Sequence, residues 1–259
     1  AQVQELGLIS AVVAAVESVA GQLQADLKLA GTLGSPQITG TATLKQGGLK
    51  VPAAGLEIAG LQLQAQAEPN QTVTLKAVAQ SGQGEIRLDG TLAPDAQHGL
   101  DAQITLQGHD FQVVDLPEVA ASLSPDLTLR HQAGQTRLQG TLTIPKARIE
   151  PKSLPDSVQT VSSDEEMVGA ATPEANTAKA PAAPGVEAEI TLALGDQVLV
   201  NAFGLKARLA GQINVNQRAN ASPRASGEFN IADKPPGQFK AYGQNLLIRR
   251  GRVYFSGAL

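Results

Sequence analysis

The 259-residue chain has no cysteine, no tryptophan and one methionine. It can therefore form no disulfide and offers no thiolate as nucleophile or metal ligand. A lack of thiols suits an oxidising compartment without requiring one. Aromatic residues make up only 3%, so the apolar positions are left to Leu, Val, Ile and Ala. Aromatics bury the most area per residue, and their scarcity leaves a smooth aliphatic surface with few large anchors. Charged residues are 17%, below the roughly 25% of typical soluble domains. Gln, Thr, Asn and Ser fill the polar positions instead. Net charge is −4, and the cations are scattered apart from Arg249-Arg250 with Arg252. That excludes the basic face or stripe needed to hold nucleic acid. No run of 18 apolar residues is present, so no segment reads as a bilayer-spanning helix. Residues 1–20 lack the basic start of a signal peptide. Both ends read as cut from something longer, the last being the strand-like run Arg252 to Leu259. Any targeting or anchoring segment is then expected to lie outside this chain.

Catalytic chemistry is equally scarce. His98, His109 and His131 are the only histidines, and none stands at a metal-ligand spacing. There is no G-x-S-x-G elbow and no P-loop. Gly82-Gln83-Gly84 and Gly204 read as strand-turn glycines, because no helix start follows them to cradle a phosphate. Asp164-Glu165-Glu166 is a solvated acidic run, and Asp89, Asp196 and Asp233 stand singly at strand ends. The chain is not expected to be an enzyme, and no cofactor or metal is expected. What remains is a surface.

That surface is written as strict apolar/polar alternation. In Val186-Glu187-Ala188-Glu189-Ile190-Thr191-Leu192-Ala193-Leu194 every even position is apolar, and only Ala193 among the odd ones is not polar. Leu23, Ala25, Leu27 and Leu29 alternate with Gln22, Gln24, Asp26 and Lys28 in the same way. Side chains along a strand point to opposite faces, so the pattern describes a sheet greasy on one side and wet on the other. Turn signals arrive every eight to twelve residues, the all-β signature. Strands are expected over Gly21–Ala30, Gln37–Leu44, Leu49–Val51, Leu56–Ala67, Gln71–Ala79, Gly84–Leu92, Leu100–Gln107, Leu127–His131 and Thr136–Ile144. Turns are expected at Gly34-Ser35-Pro36, Gly47-Gly48, Ser81-Gly82 and Gly134, and a bulge at Ala59-Gly60. A Gly-Thr-Leu opening at Gly31, Gly90 and Gly140 marks a degenerate strand-turn-strand repeat.

Two stretches depart from this grammar. Residues 8–20 place Val12, Val13, Val16, Val19 and Ala20 at helical spacing, so 1–20 is expected to carry a short apolar helix. It would cap a sheet end or lie in an apolar groove. Residues 153–185 are rich in Ala, Pro, Ser, Thr, Asp and Glu and do not alternate. They are expected to be a disordered insertion between adjacent strands, separating the groups 21–152 and 186–259. An apolar face this long can be covered in three ways: by a second sheet, by a protein strand or helix, or by lipid acyl chains. A wall of Leu, Val, Ile and Ala favours the last two over an interlocking core.

Residues 190–215 and 225–259 closely resemble the C-terminal conserved region of the TamB family of AsmA-like proteins. The landmarks are Leu194-Gly195-Asp196, Phe203-Gly204-Leu205 with Leu209 and Gly211, Gly227, Ala241-Tyr242-Gly243-Gln244, and Gly251 followed by Phe255-Ser256-Gly257. Residues 138–156 and 31–63 fit the same family upstream, so the resemblance covers roughly 20–259. It implies a long, strongly curved antiparallel sheet forming a U-shaped apolar trough. It also implies a periplasmic location within a longer protein anchored in the inner membrane. Function is implied with the outer-membrane barrel protein TamA, in phospholipid movement between membranes or in assembly of unfolded outer-membrane proteins. A structural spacer built as a β-sandwich is the bland alternative. Residues expected to line the trough are Leu27, Leu29, Leu61, Leu63, Ile104, Leu106 and Leu138 toward the N-terminus. Leu142, Ile190, Leu192, Leu194, Leu205, Leu209 and Ile213 continue it. Asp196, Gly204, Gly227, Tyr242, Gly243, Phe255 and Gly257 are expected to serve structure.

Overall fold

The computed structural model describes residues 2–3, 17–32, 35–95, 99–152, 186–219 and 221–258. Their strands are β1 (Gln2–Val3), β2 (Glu17–Thr32), β3 (Ser35–Val51), β4 (Leu56–Ala67), β5 (Val73–Ser81), β6 (Gly84–Asp95), β7 (Gly99–His109) and β8 (Phe111–Asp115). The chain continues through β9 (Val119–Gln132), β10 (Gln135–Ile149), β11 (Val186–Ala202), β12 (Leu205–Gln217) and β13 (Arg224–Ile231). It closes with β14 (Gly237–Ala241), β15 (Gln244–Ile248) and β16 (Arg252–Ala258). One 3-10 turn covers Pro52–Ala54. All sixteen strands belong to a single large curved sheet, ordered β1 to β7, then β9 to β13, then β16. The two ends of that path do not pair, so the sheet is open and no second sheet packs on it among the described residues.

Neighbours in the chain are neighbours in the sheet because short turns can join only antiparallel strands. The one parallel pair is β10 with β11. Parallel neighbours need a crossover of a dozen residues or more. The segment between Ile149 and Val186 has that length, and the expected insertion at 153–185 falls within it. The insertion itself lies outside the described residues.

β8 and the β14–β15 hairpin leave the main path. Asp110, at φ 47, turns the chain between β7 and β8, and its amide donates to Ser124 Oγ at 2.9 Å. β8 then pairs with the start of β9 and lies against the β5–β6 hairpin. The fit is close: a Cβ on Gly84 would fall on the Asp110 carbonyl, and one on Gly55 on the Asp115 carbonyl. At the other extreme β14 takes over from β13 as partner of β12, pairing at Leu205 and Lys206. Local cores form at these two folds. Ala79, Ser81 and Phe111 are buried at the first, and Val198, Ala207 and Ala232 at the second.

Three expectations are corrected. Residues 17–20, read as the end of a helix, are strand: Glu17 and Ala20 pair with Lys50 and Gly48, and the ladder overrides helical spacing. The rest of that stretch, 4–16, lies outside the described residues. Gly47-Gly48 is not a turn. β3 runs through it, and Gln46 at φ 53 absorbs one extra residue as a bulge. The sheet is antiparallel everywhere except at β10–β11. The bulge expected at Ala59-Gly60 is present, with Gly60 at φ 58 and a register shift between Ala59 and Gln62.

Curvature comes from glycines within strands. Gly140 sits mid-strand at φ 138, and a Cβ there would fall on the Asp126 carbonyl of the facing strand. Gly227 repeats the arrangement at φ 129 against the Gln212 carbonyl. Such kinks bend a pleated sheet where a side chain would hold the strands apart. Gly140→Ala is expected to cost about 1–3 kcal/mol in urea unfolding. Gly257→Ala, where an added Cβ meets nothing within 4 Å, is expected to be near neutral.

Candidate apolar groove

Directly paired residues share a face, so the register shows what the sheet presents. Start at Leu23. Its partners run Leu44, Leu63, Ala77, Leu88 and Leu106 from strand to strand. The row continues through Leu127, Gly140, Ile190, Val215, Ala225 and Gly257. Every member is apolar, and the row crosses twelve strands without a polar interruption. A second row on the same face passes from Leu75 through Gly90, Ile104, Leu129 and Leu138 to Ala188. A third joins Pro125, Leu142, Leu192, Ile213, Gly227 and Phe255.

The residues named from the sequence fall on this face. Leu63, Leu106 and Ile190 belong to the first row, Ile104 and Leu138 to the second, and Leu142, Leu192 and Ile213 to the third. Leu27 stands opposite Gly40, Leu61 opposite Gly47, and Leu194 opposite Gly211. Leu209 faces Ile231, and Leu205 lies between Ala202 and Phe239. Leu29 pairs with Ile38 through the backbone, and its side chain is outside the described set.

This face is only partly covered. Among the described residues just seven hydrophobic side chains are buried, and only Phe111, Val198 and Ile213 of those are large. Ile213 is 6% exposed, whereas Leu63 is 37% and Leu27 is 54% exposed. The cover is uneven along the face, for Val253, opposite Phe229 on the C-terminal edge strand, is 59% exposed. A closed sandwich of this size would hide far more, which removes the β-sandwich alternative.

The reverse face is mainly polar, interrupted by Val78, Ala193 and Leu199, and its polar side chains pair across strands. Arg137 Nη2 meets Glu187 at 2.7 Å across the parallel junction. Gln107 donates to Asp126 at 3.1 Å and Thr191 to Asn214 at 2.9 Å. Hydrogen bonds from Arg87, then Gln80, hold the Glu85 carboxyl below its ordinary range. Asn201, then Arg148, does the same for Glu150. Both carboxylates therefore favour the fold above the ordinary carboxylate range and lose that contribution as pH falls through their lowered values. Both are solvent-facing, so the contribution is small.

The family-motif residues lie in turns, within strands and at exposed positions. Asp196, fully exposed, lies 3.5 Å from Arg208. Gly204 at φ 90 lets its carbonyl accept the Lys240 amide at 2.8 Å. Tyr242 and Gly243 form the β14–β15 turn at φ 50 and 77. Phe255 meets Phe229 edge to face at 5.4 Å. Gly257 ends the first apolar row opposite Ala225. Sequence reading missed Phe111 and the buried Val198, Ala207 and Ala232. Phe111 carried a signal, being the lone aromatic before Phe203. The small buried residues carried none.

An open, curved β-trough with one unbroken apolar face, a mainly polar back and, among the described residues, no His, Cys, Asp or Glu cluster able to hold a metal defines a class built around a surface. The chain belongs to the TamB C-terminal domain family, which matches residues 74–258. It is 27% identical over 250 residues to the translocation and assembly module subunit TamB of Haemophilus influenzae. That match covers 93% of this chain and 19% of the relative, so the chain spans about a fifth of that protein's length.

Burial along the groove sets what truncation costs. Ile213→Ala is expected to lose about 2–5 kcal/mol in urea unfolding. Leu27→Ala, at a half-exposed position, is expected to lose less than about 1 kcal/mol by the same measurement.

Proposed function

We propose that the apolar face holds phospholipid acyl chains, and that this chain is one periplasmic segment of a conduit between the inner and outer membranes. The observation that carries this reading is the row from Leu23 to Gly257. At ~4.8 Å per strand it offers about 50 Å of continuous hydrocarbon-like surface. Aliphatic side chains without deep pockets fit fluid acyl chains better than one rigid ligand. Headgroups would stay in water along the open side, so selection among headgroups by the groove would be weak. In the full-length protein an inner-membrane anchor and the barrel protein TamA would complete the path. The relative's name, a translocation and assembly module subunit, supports a part in outer-membrane biogenesis.

A charge placed in the row tests this. An unpaired carboxylate against hydrocarbon is costly, so Ile190→Asp should strip co-purifying phospholipid in native mass spectrometry of detergent-free protein. Glu189→Gln, on the polar face, should leave the lipid in place. If Ile190→Asp keeps a normal lipid load while folded, the groove is not the lipid site.

A second reading has its own support. Among the described residues β16 pairs only with β13, and such an edge can take up an added strand. The trough would then template unfolded outer-membrane barrel strands. Photocrosslinkers at Leu106 and at Ser256 separate the two. Lipid adducts at Leu106 favour the conduit, and protein adducts at Ser256 favour the template.

A further inference from the structure

Six of the seven aromatic residues lie between Phe203 and Phe255, in a chain with almost none elsewhere. Two of them occupy one kind of place. Phe203-Gly204 joins β11 to β12, and Tyr242-Gly243 joins β14 to β15. Their φ values are 49 and 90 for the first pair, 50 and 77 for the second. Asn-Gly or Asp-Gly is the sequence such turns prefer, because the first residue must accept a left-handed backbone. A bulky aromatic there is disfavoured. Packing offsets this little, since Phe203 is 51% exposed and Tyr242 fully exposed. The Lys240 amide donates to the Gly204 carbonyl at 2.8 Å, so the two turns lie side by side at one end of the sheet. Backbone conformation and solvation thus both oppose these side chains, twice over. Features that oppose the fold and recur point to a use outside it.

The hairpin behind the second turn extends the same feature. Among the described residues β15 pairs with β14 alone. Leu246 and Leu247 project to opposite faces and are 52% and 62% exposed, so this arm is apolar on both sides where the rest of the sheet is apolar on one. Between Lys234 and Arg252 lie Lys240, Arg249 and Arg250 as well, and no acidic residue, in a chain of net charge −4. Lys240, Arg249 and Arg250 are exposed and, among the described residues, have no ion-pair partner. Apolar and aromatic tips flanked by unpaired cations match the layering of a lipid surface. There the rings sit at headgroup depth and the cations meet anionic phosphates.

We propose that the Phe203-Gly204 turn and the β14–β15 hairpin form a membrane-docking end that inserts into the headgroup layer of an anionic phospholipid bilayer. The inference does not depend on what the groove carries. Because the chain contains no tryptophan, Tyr242→Trp supplies a single reporter. Vesicles of phosphatidylcholine with about a third phosphatidylglycerol should shift its emission to the blue. Brominated lipid should quench it, and pure phosphatidylcholine should do little. In vesicle flotation Arg249→Gln with Arg250→Gln should lower partition on the order of tenfold or more, and raised salt should do the same. Phe203→Ser with Tyr242→Ser, at exposed turn positions, should weaken partition while leaving the urea midpoint unchanged or higher. Ile190→Asp should partition like the parent, which keeps this test separate from that of the groove. An unshifted emission on anionic vesicles overturns the proposal. So does equal partition of the Phe203/Tyr242 double variant and the parent, or a shift that requires an added protein.

Discussion

The backbone register is the constraint on which the rest depends. A strand's side chains alternate with period two, so one residue of slip would carry every leucine of that strand to the wet face. The row from Leu23 to Gly257 exists because eleven consecutive pairings across twelve strands keep the same phase. Where a strand takes an extra residue, the sequence changes phase with it. Leu56 and Ile58 precede the bulge at Gly60, and Leu61 and Leu63 follow it, yet all four share one face. Leu44 gives way to Gly47 and Leu49 across Gln46 in the neighbouring strand, so the two bulges lie beside each other and the apolar wall passes through them unbroken.

This arrangement holds the sheet together without a closed core. Each strand is stabilised mainly by its two neighbours, as in repeat architectures where stability accumulates along one dimension. Burial is concentrated where the chain folds over the sheet, around Phe111 and around Val198 and Ala207, with Ile213 and Ala225 buried within the groove itself. Glycines such as Gly140 admit the close strand approach that bends the sheet. The apolar face is thereby curved inward while remaining open, a shape suited to a mobile apolar occupant along its length. The aromatic turns at Phe203 and Tyr242 stand outside this economy, since neither packing nor backbone preference accounts for them.

Much of this was legible in the chain. Alternation in Val186–Leu194 and Leu23–Leu29 announced strands and named their apolar sides, because period-two patterning is local and survives without knowledge of partners. The slip at Ala59-Gly60 was visible as a change of phase. Gly47-Gly48 misled because a glycine pair signals a turn in isolation and a bulge when flanking strands hold it. Residues 17–20 misled because a short apolar run fits a helix or a strand equally well until a ladder claims it. The crossing of β8 was hidden, since nothing in Phe111 to Asp115 states that the chain will fold back over Gly84.

The sequence by itself determined that this is an all-β protein, which residues of each strand are apolar, and the ordered glycine and aromatic landmarks of its family. It determined these because they depend on alternation, turn chemistry and local motif order. Only the tertiary structure decided that the apolar sides align into one surface, that β10 and β11 run parallel, and that Phe203 and Tyr242 lie at the same end. Those facts depend on which backbone groups, distant in the chain, satisfy one another's hydrogen bonds. No local pattern encodes that choice.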